Sequence, residues 1–162
     1  MTSQPQRHLL VLRGRAGARQ RELAMWLASE LPGPTAVIPQ DAFHTRWVLK
    51  PGPDRARESE MGARIGKLVA ISYMREGYSV VVEGAYAPED PGQESGLSEL
   101  ISIARTLPAR TYVIELRESR YESQAPSAVA SAIRADDVVD LTDEPIGSAA
   151  ARIVAQLLRV TP

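Results

Sequence analysis

Five short apolar runs alternate with helical segments, and this alternation constrains the chain more than any other feature. The runs are Leu9–Leu12, Thr35–Ile38, Ser79–Glu83, Arg110–Leu116 and Val138–Leu141. Leu9-Leu10-Val11-Leu12 and Val80-Val81-Val82 carry apolar side chains at every position. That pattern suits strands buried on both faces. Helical patterns follow at Ala18–Glu30, Glu58–Glu76, Ser98–Thr106, Pro126–Arg134 and Ile146–Val160. Strands that alternate with helices predict one α/β domain over residues 1–162. Its architecture is three layers, α/β/α, around a five-stranded parallel sheet.

The punctuation fits this reading. Leu31-Pro32-Gly33-Pro34 ends the first helix. In the long helix Met61, Ile65, Leu68, Val69, Ser72 and Tyr73 recur at helical spacing and form the expected core face, and Gly77 is its stop. Asp41–Leu49 is read as a short helix, Pro51–Asp54 as a turn-rich loop, and Ala87–Gly96 as a polar loop. Arg117–Gln124 is charged and ambiguous in type.

In parallel sheets ligands bind outside the carboxyl ends of the strands. Gly14, Asp41 and Glu83 each fall just past or at such an end, so they are expected to share one rim. Gly14 and Gly17 break the first run before the first helix begins. The amides of Gly17 and Ala18 are then expected to face the rim as unpaired donors at a helix start.

Composition removes several alternatives. The net charge of −1 carries no general nucleic-acid or acidic-membrane footprint. Cysteine is absent, which removes disulfides and thiolate chemistry. Two histidines, His8 and His44, cannot form a metal cluster. No Gly-x-Ser-x-Gly elbow and no Gly-x-Gly-x-x-Gly turn is present. Met1 to Arg7 is polar, and no apolar run approaches the ~20 residues that span a membrane. A cytoplasmic protein is expected. Gly62 to Lys67 is too short between its glycines for a phosphate loop and lies within a helical pattern.

The stretch Gly14-Arg15-Ala16-Gly17-Ala18-Arg19-Gln20-Arg21 resembles the Walker A loop of small P-loop kinases, the group of shikimate kinase, chloramphenicol phosphotransferase and adenylate kinase. That loop reads Gly-x-x-Gly-x-Gly-Lys-Ser/Thr. Gly14 and Gly17 match its first two glycines. Arg19, Gln20 and Arg21 replace the third glycine, the lysine and the hydroxyl. Further along, Gly77 to Gly84 resembles the third strand of these kinases with its acidic end. Val139 to Thr142 and the following helix resemble their last strand and C-terminal helix.

The resemblance implies a strand order of 2-3-1-4-5. It also implies roles for the rim residues. Asp41 would orient or deprotonate an acceptor hydroxyl, and Glu83 would act on Mg2+ through water. The loop positions Gly14, Gly17, Ala18, Arg19, Gln20 and Arg21 would surround phosphate. Arg46 would hold an anionic substrate or phosphate, and Arg117, Arg120 and Arg134 stand where these kinases carry substrate-side lid arginines that grip the transferring phosphoryl group. Each has a plainer alternative: Asp41 as a helix cap, Glu83 as a polar strand end, the arginines as solvated charge, and Phe43 and Trp47 as cover for the sheet. Because lysine, hydroxyl and loop glycine are all replaced, ATP and Mg2+ are expected to bind weakly. The expected function is therefore that of a degenerate kinase-like protein that binds a small molecule or phosphorylated ligand, with an active ATP-dependent phosphotransferase as the alternative. A protein partner or a second copy of the chain are further candidate partners.

Overall fold

The computed structural model describes residues 6–14, 18–84, 91–117, 135–142 and 144–159. Gly17, Arg120 and Arg134 lie outside them, as does the helix expected over 126–134.

Five strands and five helices are formed among the described residues. In chain order they are β1 (Arg7–Arg13), α1 (Ala18–Glu30), β2 (Thr35–Pro39), α2 (Ala42–Thr45), α3 (Arg55–Arg75), β3 (Ser79–Glu83), α4 (Pro91–Ala104), β4 (Ala109–Arg117), β5 (Asp137–Asp140) and α5 (Ile146–Arg159). The strands pair in parallel in the order β2-β3-β1-β4-β5. Both the three-layer class and the strand order agree with the sequence reading.

β1 sits at the centre because its side chains are apolar toward both faces. Leu10 and Leu12 pack on one side with Leu23 and Leu27 of α1 and Ile153 and Leu157 of α5. Leu9 and Val11 pack on the other with Ala70 and Met74 of α3 and Leu97 and Leu100 of α4. Such alternation would expose half the residues of a one-sided sheet; here both halves have a helical layer to cover them.

The ends of α3 are set by local chemistry. Asp54 caps its start by accepting from the Arg57 amide at 3.0 Å. Gly77, at φ 95°, ends it: its amide donates to the Met74 carbonyl and that of Tyr78 to the Tyr73 carbonyl. The same pair of residues turns the chain into β3.

Three expectations are corrected. First, α3 buries Gly62, Ala63, Gly66, Ala70, Ile71 and Met74, while Leu68 is 58% exposed and Tyr73 and Ser72 also face outward. Small residues win this face because the neighbours come close. A Cβ on Gly66 would lie 3.2 Å from Cγ of Gln40, and one on Gly96 of α4 would lie 3.8 Å from Cβ of Ala63. Second, α4 begins at Pro91, inside the stretch read as a loop. Proline suits the first helical position, where no amide partner is required. Third, the helix expected over Asp41–Leu49 is only the four residues of α2.

Candidate ligand-binding site

At the carboxyl end of the sheet, β1, β2 and β3 finish together. Glu83 is in register with Leu12 and with Pro39. The Gln40 amide donates to the Glu83 carbonyl at 2.8 Å, which carries the β2–β3 pairing one residue further. Asp41 follows directly. The two acids therefore emerge beside one another, and α1 begins across from them.

Gly14 allows β1 to leave the sheet. Its φ is 140°, and a Cβ there would lie 2.7 Å from the Leu116 carbonyl oxygen. Neither the backbone angle nor the space accepts a side chain.

The first turn of α1 decides the chemistry. Gln20, in the position of the Walker lysine, is buried. Its Nε2 donates to the carbonyls of Leu12 at 3.0 Å and Gly84 at 3.2 Å, so it ties the ends of β1 and β3 together. Arg21, in the position of the magnesium-binding hydroxyl, turns to the acids. Its Nε and Nη2 both reach Oε1 of Glu83 at 2.6 Å, and Nη2 lies 3.7 Å from Oδ1 of Asp41. The longer distance is within ion-pair reach but beyond a hydrogen bond, and Oδ1 of Asp41 has no hydrogen-bond partner among the described residues.

Burial pushes the Glu83 carboxyl above its ordinary range. The hydrogen bond and charge of Arg21 pull it back down, Asp41 raises it, and Arg46 lowers it. Arg46 thus acts on the cluster through its field, from an exposed position one residue past α2. The Asp41 side chain makes no capping bond to α2, so the plainer reading of this acid has no contact behind it.

The remaining sequence candidates divide. Ala18 is the first residue of α1. Arg19 points away from the acids, with Nη2 3.5 Å from the Glu144 carbonyl ahead of α5. Arg117 pairs with Glu115 at 2.9 Å, as does Arg13 at 2.8 Å. Burial alone would raise the Glu115 carboxyl; its hydrogen bonds to the two arginines outweigh that and hold it low. Phe43 is buried in the α3–α4 side of the core, while Trp47 is 73% exposed and meets its ring edge-on at 5.2 Å.

Two residues escaped the sequence reading. Arg13 is a buried cation at the end of β1, signalled only by its place at the close of a central apolar run. Gln40 is buried between Gly66 and Gly84, and its Oε1 has no hydrogen-bond partner among the described residues. The glycines on α3 and after β3 were its only trace in the sequence.

No family model matches the chain, and no curated protein matches it. Solved structures do. The APS kinase of Mycobacterium tuberculosis, solved in complex with AMPPNP and APS, is 15% identical with a TM-score of 0.68, over 95% of this chain and 99% of that one. The tunicamycin resistance protein of Deinococcus radiodurans is 16% identical with a TM-score of 0.62, over 94% and 96%. A sugar kinase from Janibacter is 17% identical with a TM-score of 0.59, over 96% of each chain.

The fold is that of the P-loop kinases. The likeness extends over almost the whole chain. Among the described residues no three Asp, Glu, His or Cys side chains come together as a metal-holding group. Among the described residues no helix is long and apolar enough to cross a membrane.

Proposed function

We propose that this P-loop kinase-like protein binds a small molecule or phosphorylated ligand at the carboxyl rim and transfers phosphate from ATP weakly or not at all. One observation carries the reading: the first turn of α1 is committed to the protein itself. The Gln20 amide is held by two backbone carbonyls, and the Arg21 guanidinium is held by Glu83.

Mg-ATP fits these residues poorly. The lysine that would meet phosphate oxygens is a buried neutral amide. The hydroxyl that would face magnesium is a cation, and the acid that would act on magnesium already carries that cation. Each lost charge-assisted hydrogen bond is worth about 1.5–3 kcal/mol. Two such losses would turn a micromolar site into a millimolar one, since about 1.4 kcal/mol is a factor of ten. The bend at Gly14 and the start of α1 support an anion or phosphorylated ligand, and Arg46 adds charge from the α2 side.

The competing reading is an active phosphotransferase acting on a hydroxyl. What favours it is Asp41, whose Oδ1 lacks a hydrogen bond although it lies at the rim. Restoring the loop separates the two. The triple variant Arg19→Gly, Gln20→Lys, Arg21→Ser is expected to gain ATP affinity by calorimetry, and no single one of these changes is expected to suffice. A triple variant that folds but binds ATP no better than the wild type would refute the account of the loop.

A further inference from the structure

We propose that Arg21 is a resident cation, a tethered guanidinium standing between Glu83 and Asp41 in the place of a divalent metal, so that the rim operates metal-free. The inference takes the rim as the ligand site, as above, but concerns the metal and not the nucleotide.

The geometry is specific. A single nitrogen, Nη2, lies 2.6 Å from Glu83 and 3.7 Å from Asp41. One carboxylate is contacted directly and the other lies at ion-pair distance. Mg2+ too is held by one or two carboxylates. The carboxylates are brought together by the backbone and not by the arginine, because Glu83 is in register with Pro39 and the Gln40 amide bonds to the Glu83 carbonyl. The pair of acids is thus built into the sheet, and α1 supplies the charge that answers it.

A metal entering here has to displace an attached competitor. A group fixed to the same scaffold acts at an effective concentration in the millimolar range or above. A dissolved cation at cellular levels gains no advantage over it. Displacement would also leave the guanidinium without its partner while the metal gains no hydroxyl ligand from α1. The buried neighbours Gln20 and Gln40 are neutral. Arg21 and Arg46 then match Glu83 and Asp41 in charge, with no ion added.

The test uses Mn2+ alone as probe, on the full chain, with free Mn2+ followed by electron paramagnetic resonance and folding by thermal melting. The wild type is expected to leave the Mn2+ signal unchanged up to about 1 mM. Arg21→Ser, which opens the place and supplies a hydroxyl, is expected to bind Mn2+ about tenfold tighter or more. That gain should vanish in Arg21→Ser combined with Glu83→Gln, and Arg21→Lys should behave as the wild type. If Arg21→Ser folds only when Mn2+ is added, the inference is supported; if it stays unfolded with Mn2+ present, the inference fails. Submillimolar Mn2+ binding by the wild type that is lost in Glu83→Gln would overturn it, as would a folded Arg21→Ser that gains no Mn2+ affinity. Tight ATP binding by the wild type in a chelator would refute the proposed function and leave this inference standing. Wild-type Mn2+ binding without ATP binding would do the reverse.

Discussion

Replacing Arg21 by methionine keeps an unbranched stem and removes the cation that faces Glu83. The magnitude follows from the burial of the two partners. Losing one partner of a fully buried ion pair costs about 3–5 kcal/mol, whereas an exposed pair is worth about 0–1 kcal/mol. Here Glu83 is 2% exposed and Arg21 is 34% exposed, so water screens one side of the pair only. A cost of about 2 kcal/mol at neutral pH lies between these limits. For a domain of this size that is a fall of roughly 4–8 °C in melting temperature. The pH dependence has a definite sign. Burial already raises the Glu83 carboxyl, and without Arg21 it rises further. A protonated carboxyl needs no counter-charge, so the variant's deficit relative to the wild type shrinks as pH falls from about 7 to about 5. Adding Glu83→Gln to Arg21→Met removes the stranded charge, and the double variant is expected to lose less than the sum of the single losses by about 1–2 kcal/mol. Urea unfolding of the four proteins at both pH values, with unchanged denaturant slopes, gives these quantities. Independent, additive effects of the two substitutions, or a deficit that stays the same at both pH values, would refute the reasoning.

Gly14→Ala is expected to lose about 1–3 kcal/mol from backbone strain alone, and more from its contact with the Leu116 carbonyl. An unchanged urea midpoint would contradict this. His8 is buried with both ring nitrogens unpartnered among the described residues, and burial, aided by the charge of Arg110, holds its pKa below the ordinary 6.5. The unfolded chain therefore takes up the proton first, and stability falls as pH drops below that value until the folded imidazole also titrates. His8→Leu removes this term, so its stability relative to the wild type should rise as pH falls from about 7 to about 5. A stability difference that does not change with pH would count against it.

The sheet was legible because its central strands β1 and β3 carry continuous apolar runs, a pattern suited to burial on both faces. The start and end of α1 and the stop at Gly77 were legible because proline and glycine act locally. The face of α3 was not. Hydrophobicity favours Leu68 and Tyr73, but the close approach of Gln40 and α4 selects Gly66 and Ala63, and that approach is a tertiary fact. The start of α4 was missed because Pro91 and Gly92 read as loop until a helix is seen to begin with them. At the site, the sequence reveals that a lysine and a hydroxyl are replaced. It does not reveal where the replacements point. Gln20 reaches Gly84, 64 residues away, and Arg21 reaches Glu83, 62 away. Both contacts are created by the β1–β3 pairing, which is set by strand order and not by anything near residue 20.

The central claim, that the first turn of α1 is closed to Mg-ATP, is tested most directly by calorimetric titration of the wild-type chain with ATP and magnesium. The expected result is no binding tighter than about 100 μM. A dissociation constant of a few micromolar, about thirtyfold tighter, together with phosphate transfer to a hydroxyl that Asp41→Asn abolishes, would contradict it.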